Sequence, residues 1–439
     1  MLPSRLATTL SATVLLAALA SSAPAQGATP VDLGKRVARS KYQLGRVFAV
    51  QELPDGRVVA SDTKEAAFRL IDLATGGDAL LGKQGDGPDE YRTATAVLPL
   101  PGDSLLLYDA LGHKALHLTP SGEVAAVIPV AVPGGSRFFT PSATDGSGYL
   151  YYTVTEFDTA AKAMKPSASL RRLVQGGTTD QELMRINIRR ADQAHAQGIL
   201  VFPFRDAWAV RNDGLIARVL ADSYQVIWSR DGHETGRTGP LPFQPIAISA
   251  AEQQAITDSM RQGMKNMISS VGMAAPANRT IGDGGGGQTI MFGDGGGGGG
   301  TQVFVMRGGD GGGAPPAGAD RAAVEAGRAA GQAAGANGQS FTFNPSDIPI
   351  APFPATKPAI ASSGLVAAFD PNGNLWVARE RMRGDNAPKY DVIAEGKGIV
   401  GQVKLPANTR LVGFGKNGVY LARLDGEAEW LERYPLPKM

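Results

Sequence analysis

Cysteine is absent from the 439 residues. That excludes disulfides, thiol catalysis, thiolate metal sites and a lipoprotein-type acylated cysteine together. Burial alone must then hold the fold, and a chain this long can bury a large core. Histidine is scarce: His113, His117, His195 and His233. His113 and His117 are four apart but fall in a turn and an expected strand, so they form no helical metal pair, and surface or packing roles are expected. Charge of one sign is not concentrated anywhere. Lys plus Arg number 43 against 41 Asp plus Glu, a net charge of +2, without the clustered basic face that nucleic acid requires. No G-x-S-x-G nucleophile elbow occurs, and the carboxylates are scattered with no acid/base pair to single out. Long hydrophobic runs are missing as well. Beyond the N-terminus no segment approaches the ~18 apolar residues of a membrane span. At the N-terminus, Arg5, an apolar run over residues 10–20 and Ala23-Pro24-Ala25 read as a signal peptide, residues 1–25. The mature chain is expected to start at Gln26 and to be exported, periplasmic or secreted.

What the chain does have is glycine (57) and proline (29), the composition of a turn-rich β protein with a low-complexity segment. A turn carrying Gly, followed at once by a short apolar strand, occurs six times. These are "PDGRVVASD", "PGDSLLLYD", "DGSGYLYYT", "NDGLIARVL", "PNGNLWVAR" and "KNGVYLARL", at Gly56, Gly102, Gly148, Gly214, Gly373 and Gly418. Gly supplies the positive φ of a tight hairpin, and β-branched and aromatic residues suit the strand after it. A strand precedes most of these turns, and a third strand follows most of them, as in "FRLIDL", "KALHLT", "YQVIWS" and "YDVIAE". The Gly-to-Gly intervals are 46, 46, 66, 159 and 45. An interval near 46 is the length of one four-stranded propeller blade. The fold expected for residues 26–439 is all-β, a six-bladed β-propeller. Residues 33–44 are expected to complete the last blade and so close the ring. A β-sandwich is the alternative, although it does not usually repeat a Gly-turn unit at this spacing.

The stretch "GKQGDGPDEYR…LPGDSLLLYDALGHKALHLTPSGE" resembles the NHL-type repeat, whose blade linker reads roughly G-x-G-x-G-P-G-E-F. Asp89 stands here for the third turn glycine and Tyr91 for the phenylalanine. "DPNGNLWV", "YDVIAEGKG" and "RLVGFGKNGVYL" are similar to exported bacterial six-bladed propeller proteins. The resemblance implies the fold and leaves the chemistry open, because propellers host unrelated functions.

The 159-residue interval implies an insertion between blades four and five, over residues 245–355. Ser249 and Glu252 form a capping box, and Ile256, Met260, Met264, Met267 and Val271 recur at helical steps, so a helix is expected near residues 249–271. Its methionine stripe suits packing against the host better than a binding face. Glycine runs then flank "QTIMF" and "TQVFVMR". Asp283, Asp294 and Asp310 are 11 and 16 apart, which misses the nine-residue calcium repeat. Residues 282–339 are expected to be largely disordered around a marginal hairpin. "NRT" at Asn278 is a formal glycosylation sequon.

Two features bear on chemistry. "GDALLGK" from Gly77 is one hydroxyl short of a P-loop, but Gln84 occupies the magnesium-binding position, and Gly85, Gly87 and Pro88 oppose the helix that must follow. A turn between strands, with Lys83 solvated, is the expectation. Secondly, a basic residue precedes the first strand of every blade: Arg46, Arg92, Arg137, Arg205, Lys357 and Arg410. Innermost strands of a propeller start at one mouth of the channel, so these six are candidates for a ring that binds an anionic ligand. Three functions follow. The first is a non-catalytic binding module, monomeric, with a small anionic ligand or a protein partner at that mouth and no cofactor. The second is a calcium-dependent lactonase- or hydrolase-type six-bladed enzyme. Asp62, Asp109, Asp213 and Asp370 lie near blade turns, away from the channel strand starts, and are not assigned as ligands. The third is a quinone-cofactor sugar dehydrogenase, which needs a histidine base that no inner strand supplies.

Overall fold

The computed structural model of the protein describes residues 29–88, 90–130, 140–158, 163–174, 177, 180–193, 199–270, 289–294, 301–306, 349–416 and 418–439. The expected signal peptide, the sequon at Asn278, Arg137, His195, Asp89 and most of residues 282–339 lie outside the described residues.

Six antiparallel sheets form a propeller. Blade one has strands Val47–Glu52, Val58–Asp62, Ala67–Ile71 and Asp78–Leu81. Blade two has Ala96–Pro99, Leu105–Asp109, Lys114–Leu118 and Val124–Pro129. Blade three has Ala143–Thr144, Tyr149–Asp158, Ala163–Val174 and Asp180–Asn187. Its two middle strands are 10 and 12 residues long, which accounts for the wider interval of 66 that follows its turn. Blade four has Ala207–Val210, Ile216–Leu220, Gln225–Arg230 and His233–Arg237. Blade five has Ala367–Phe369, Leu375–Ala378, Lys389–Ala394 and Gly398–Lys404. Blade six takes Thr409–Gly415, Gly418–Asp425 and Ala428–Tyr434 from the C-terminal end.

The fourth strand of blade six comes from the N-terminal region. Ala38–Arg39 pairs antiparallel with Arg433 and Glu432, and Leu44 exchanges both backbone hydrogen bonds with Glu429 at 2.8 Å each. Val31–Asp32 adds a parallel fifth strand to blade five, opposite Val403 and Lys404. The closing segment expected over residues 33–44 completes blade six, and Val31–Asp32 just before it adds to blade five.

Why these sequences close into a ring is visible in the burial. The second strands of blades one, two and five are buried along their whole length, so each needs a neighbour on both faces. The core accordingly lies between blades. Val47, Val58 and Ile71 of blade one pack with Val412, Tyr420 and Leu431 of blade six. Leu53 and Phe68 pack with Val97, Leu107 and Leu116 of blade two, and similar clusters join blades two to three, three to four, and four through six. First strands touch from blade six through blades one, two, three and four to blade five. Five of the six repeat glycines lie at φ between +76° and +88°, and Gly418 at +146°, the left-handed region the turn motif requires.

No helix follows Lys83. Lys83–Gln84 pairs parallel with Glu90–Tyr91, and Lys83 Nζ lies exposed, 2.6 Å from Glu90. Tyr91 packs on Phe68, with ring centroids 5.0 Å apart, and its hydroxyl accepts the Phe68 N–H at 3.1 Å. Gly82 has φ +69°, and a Cβ there would come within 2.4 Å of Leu116. The linker is a blade-to-blade turn.

The insertion leaves and rejoins through a narrow neck. Ala247 bridges Thr356, and the Lys357 N–H donates to the Ile246 carbonyl at 2.8 Å. The helix runs Ala250–Ser270, and the Glu252 N–H donates to Ser249 Oγ at 3.2 Å as the capping box requires. Met264 is buried, with Ile256 and Met260 half-buried. Thr289–Asp294 and Thr301–Met306 form an antiparallel pair.

Leu44, 1% exposed in the seam between blades six and one, contrasts with Val37, 57% exposed on the same segment. Leu44→Ala is expected to cost about 2–5 kcal/mol, and Val37→Ala no more than about 0.5 kcal/mol. Urea unfolding of the two variants checks this.

Candidate functional site at the channel mouth

The end of the propeller at which innermost strands begin is also where second strands end and third strands begin. Backbone N–H groups of the turning chain crowd there, and buried carboxylates receive them. Asp62, at the end of the second strand of blade one, accepts the N–H groups of Gly45 at 2.6 Å, Arg46 at 2.8 Å and Glu65 at 3.1 Å. Asp109 occupies the same place in blade two. It accepts from the N–H groups of Arg92 (2.9 Å), Thr93 (3.1 Å) and Leu111 (3.1 Å), and from the Thr93 hydroxyl at 2.6 Å. From sequence both aspartates are expected away from the strand starts; in the fold each lies directly under one. Asp213 and Asp370 do sit at the opposite face. Asp213 is held by Arg211 and Arg230, and Asp370 accepts from Asn372, Asn374 and the Trp376 indole.

Blades four, five and six use different carboxylates at the mouth. Asp206 accepts from Arg218 Nη2 at 2.6 Å and the Asn187 N–H at 3.0 Å. Glu380 accepts from the N–H groups of Arg381 at 3.0 Å and Ser362 at 3.3 Å. Burial pushes the Glu380 carboxyl above its ordinary pKa, against the opposing pull of those N–H donors and of Lys357. Glu429, on the third strand of blade six, reaches across the seam and accepts the Val47 N–H of blade one at 2.8 Å.

The six basic residues have different surroundings. Arg410 donates to Glu429 and to the Val47 carbonyl. Burial lowers its guanidinium pKa, opposed by the Glu429 carboxylate. Arg46 Nε lies 4.0 Å from Oε1 of the same carboxylate, with 61% of its side chain exposed. The seam thus brings Arg46 and Arg410 together on one carboxylate. Arg92 is half exposed and paired with Asp86. Lys357 is 3% exposed, 2.8 Å from Glu252 of the insertion helix, and donates to the Arg381 carbonyl at 2.6 Å. Phe202, whose φ is +55°, covers it with its ring centroid 5.0 Å from Nζ. Arg205 is half-buried in the loop before blade four, and Arg137 lies outside the described residues. His117 sits in a strand of blade two and His113 in the turn before it.

Calcium takes six to eight oxygen ligands, and the carboxylates of Asp62 and Asp109 do not fit that demand. The oxygens of Asp62 and Asp109 already accept N–H and O–H donors, and among the described residues no three His, Asp or Glu side chains gather to hold a metal ion.

A scan of protein-family models finds no match to the chain, and no curated protein matches it. Solved structures similar to it include a gluconolactonase from Xanthomonas campestris, at 11% identity over 94% of this chain and 99% of that one, TM-score 0.37. A calcium-binding regucalcin from Agrobacterium tumefaciens aligns at 10% identity over 92% and 98%, TM-score 0.35. A member of the duf4221 family from Bacteroides vulgatus aligns at 9% identity over 92% and 99%, TM-score 0.40.

Glu429→Ala leaves the half-buried Arg410 without its carboxylate and is expected to destabilise by about 3–5 kcal/mol, whereas Glu429→Leu with Arg410→Met recovers only part of that loss, because the Val47 N–H still lacks its acceptor. Denaturant unfolding of both variants is the measurement. Glu380 yields a pH dependence. Its folded pKa is raised, so between the ordinary value of 4.5 and the folded one the folded state holds more protons than the unfolded state. Stability from this group therefore falls as pH rises through that window. Glu380→Gln is expected to remove that fall in urea unfolding between about pH 4 and about pH 8.

Proposed function

We propose that the protein is an exported propeller that binds a small anionic ligand at the mouth where its innermost strands begin. One observation carries this reading: Arg46 and Arg410 share the single carboxylate of Glu429. Two guanidiniums converge there, and Arg46 presents its side chain to solvent. A carboxylate or phosphate on the ligand pairs with a guanidinium through two parallel hydrogen bonds. Arg410, held from below by Glu429 and the Val47 carbonyl, adds a fixed charge in a half-buried setting where screening is weak. The ligand class is a sugar acid, a peptide carboxyl terminus or a phosphomonoester.

A second reading is a lactonase- or hydrolase-type enzyme. The observation in its favour is Glu380, a carboxyl kept protonated toward higher pH at the same mouth, as a general acid requires.

Calorimetric titration with small carboxylates and phosphates tests the first reading. Arg46→Ala is expected to weaken binding about tenfold with an unchanged melting temperature, because the side chain is mostly exposed. Binding that is indifferent to Arg46 overturns the reading. A saturable rise in melting temperature with calcium, together with lactone hydrolysis lost in Glu380→Gln, establishes the second reading instead. Export is tested by the mature N-terminus, expected at Gln26 by mass spectrometry of the secreted protein.

A further inference from the structure

The opposite face, where first and second strands are joined by the repeat turns, carries a cavity of about 210 Å³ between blades three and four. Its walls include Asp145, Ser147, Tyr149, Arg172, Arg230 and Asp231. The floor is fixed. Asp145 is buried and accepts the N–H groups of Ser147 at 2.9 Å and Tyr149 at 3.1 Å and the Tyr151 hydroxyl at 2.8 Å. The Gly146 N–H donates to the Asn212 carbonyl at 2.7 Å, which pins the turn of blade three to that of blade four. Gly214, also in the lining, puts no side chain in front of Asp145: a Cβ there would lie 3.6 Å from Asp145 Oδ2.

The walls are equally set. Arg172 lies over the Tyr149 ring at 4.7 Å and donates to Asp231 at 2.6 Å. Arg230 donates to the Asp213 carboxylate at 2.5 Å and to its carbonyl at 2.7 Å. Arg211 braces Asp213 from behind at 2.8 Å. The lining thus alternates guanidinium donors with carboxylate acceptors. The Ser147 and Tyr149 hydroxyls make no hydrogen bond to another described residue.

Three properties define the occupant. Asp145, Asp213 and Asp231 against Arg172 and Arg230 leave the lining one charge negative, which disfavours an anion. The Tyr149 ring, the one aromatic surface, lies beneath Arg172, so a hydrocarbon or aromatic ligand finds no apolar wall. The volume equals about seven waters, the space of a single six-membered sugar ring. Vicinal hydroxyls each donate one hydrogen bond and accept others, which matches alternating carboxylates and guanidiniums. We propose that this cavity binds one neutral sugar ring, independently of the anion site at the other mouth.

The mature protein is titrated calorimetrically with neutral hexoses, with glucuronate and with inorganic phosphate. At least one neutral hexose is expected to bind. Ser147→Trp, which covers the cavity from an exposed turn while keeping the backbone N–H on Asp145, is expected to weaken that binding about tenfold or more. Asp231→Ala, which removes one acceptor, is expected to weaken it less, and Arg46→Ala not at all. The proposal is overturned if no neutral hexose binds, if Ser147→Trp binds it as the parent does, or if glucuronate or phosphate binds more tightly in a manner abolished by Ser147→Trp.

Discussion

Blade six owns three strands, and its fourth comes from residues more than 390 positions away, since Ser40 and Leu431 are hydrogen-bonded to each other. The whole ring depends on that seam. No blade buries both of its faces alone; every core cluster is shared between neighbouring blades. If the first and last blades part, Val58, Ile71, Val412 and Leu431 face water, and each buried side chain of this kind contributes about 1.5–3 kcal/mol. The clasp by residues 31–44 makes closure a property of both chain ends. Val31–Asp32 on blade five extends it over a second blade.

The same seam builds the candidate site. Where strands turn over at the mouth, N–H groups lose their ladder partners, and a buried N–H without an acceptor is costly. Asp62 and Asp109 answer this within their own blades. At the seam the acceptor comes from the neighbouring blade: Glu429 takes the Val47 N–H. A buried carboxylate demands a cation, and Arg410 supplies it. Arg46, on the residue before Val47, is brought to the same carboxylate with its side chain in solvent. The meeting of two guanidiniums on one carboxylate at this mouth is therefore a consequence of how the ring is closed.

Much of this architecture is legible in the sequence. The Gly-turn unit at 46-residue spacing is visible because each blade needs the same left-handed turn, and the runs VVA, LLLY and LWVA are apolar because those strands are buried on both faces. The near P-loop is recognisable as a linker from Gln84 and Pro88. The site is less legible. Six basic residues precede six first strands, but what each meets depends on loops of unequal length. Arg46 and Arg410 converge on Glu429, while Lys357 turns inward to Glu252 of the insertion helix. Glu429 had a signal: by the two-residue period of a strand it shares a face with buried Leu431, and a carboxylate on a buried face implies a partner. That the partner is Arg410, and that Val47 lies across from both, follows only from closure of the ring.

Native-state hydrogen exchange at the seam tests the central claim most directly. The Leu44, Val47 and Glu429 amides are expected to exchange only through global unfolding, at the free energy of Val59 and Leu106 in the centres of blades one and two. Exchange of the seam amides at a distinctly lower free energy than those core positions, with blades one and six opening as a separate unit, contradicts a ring whose closure holds the fold and its mouth together.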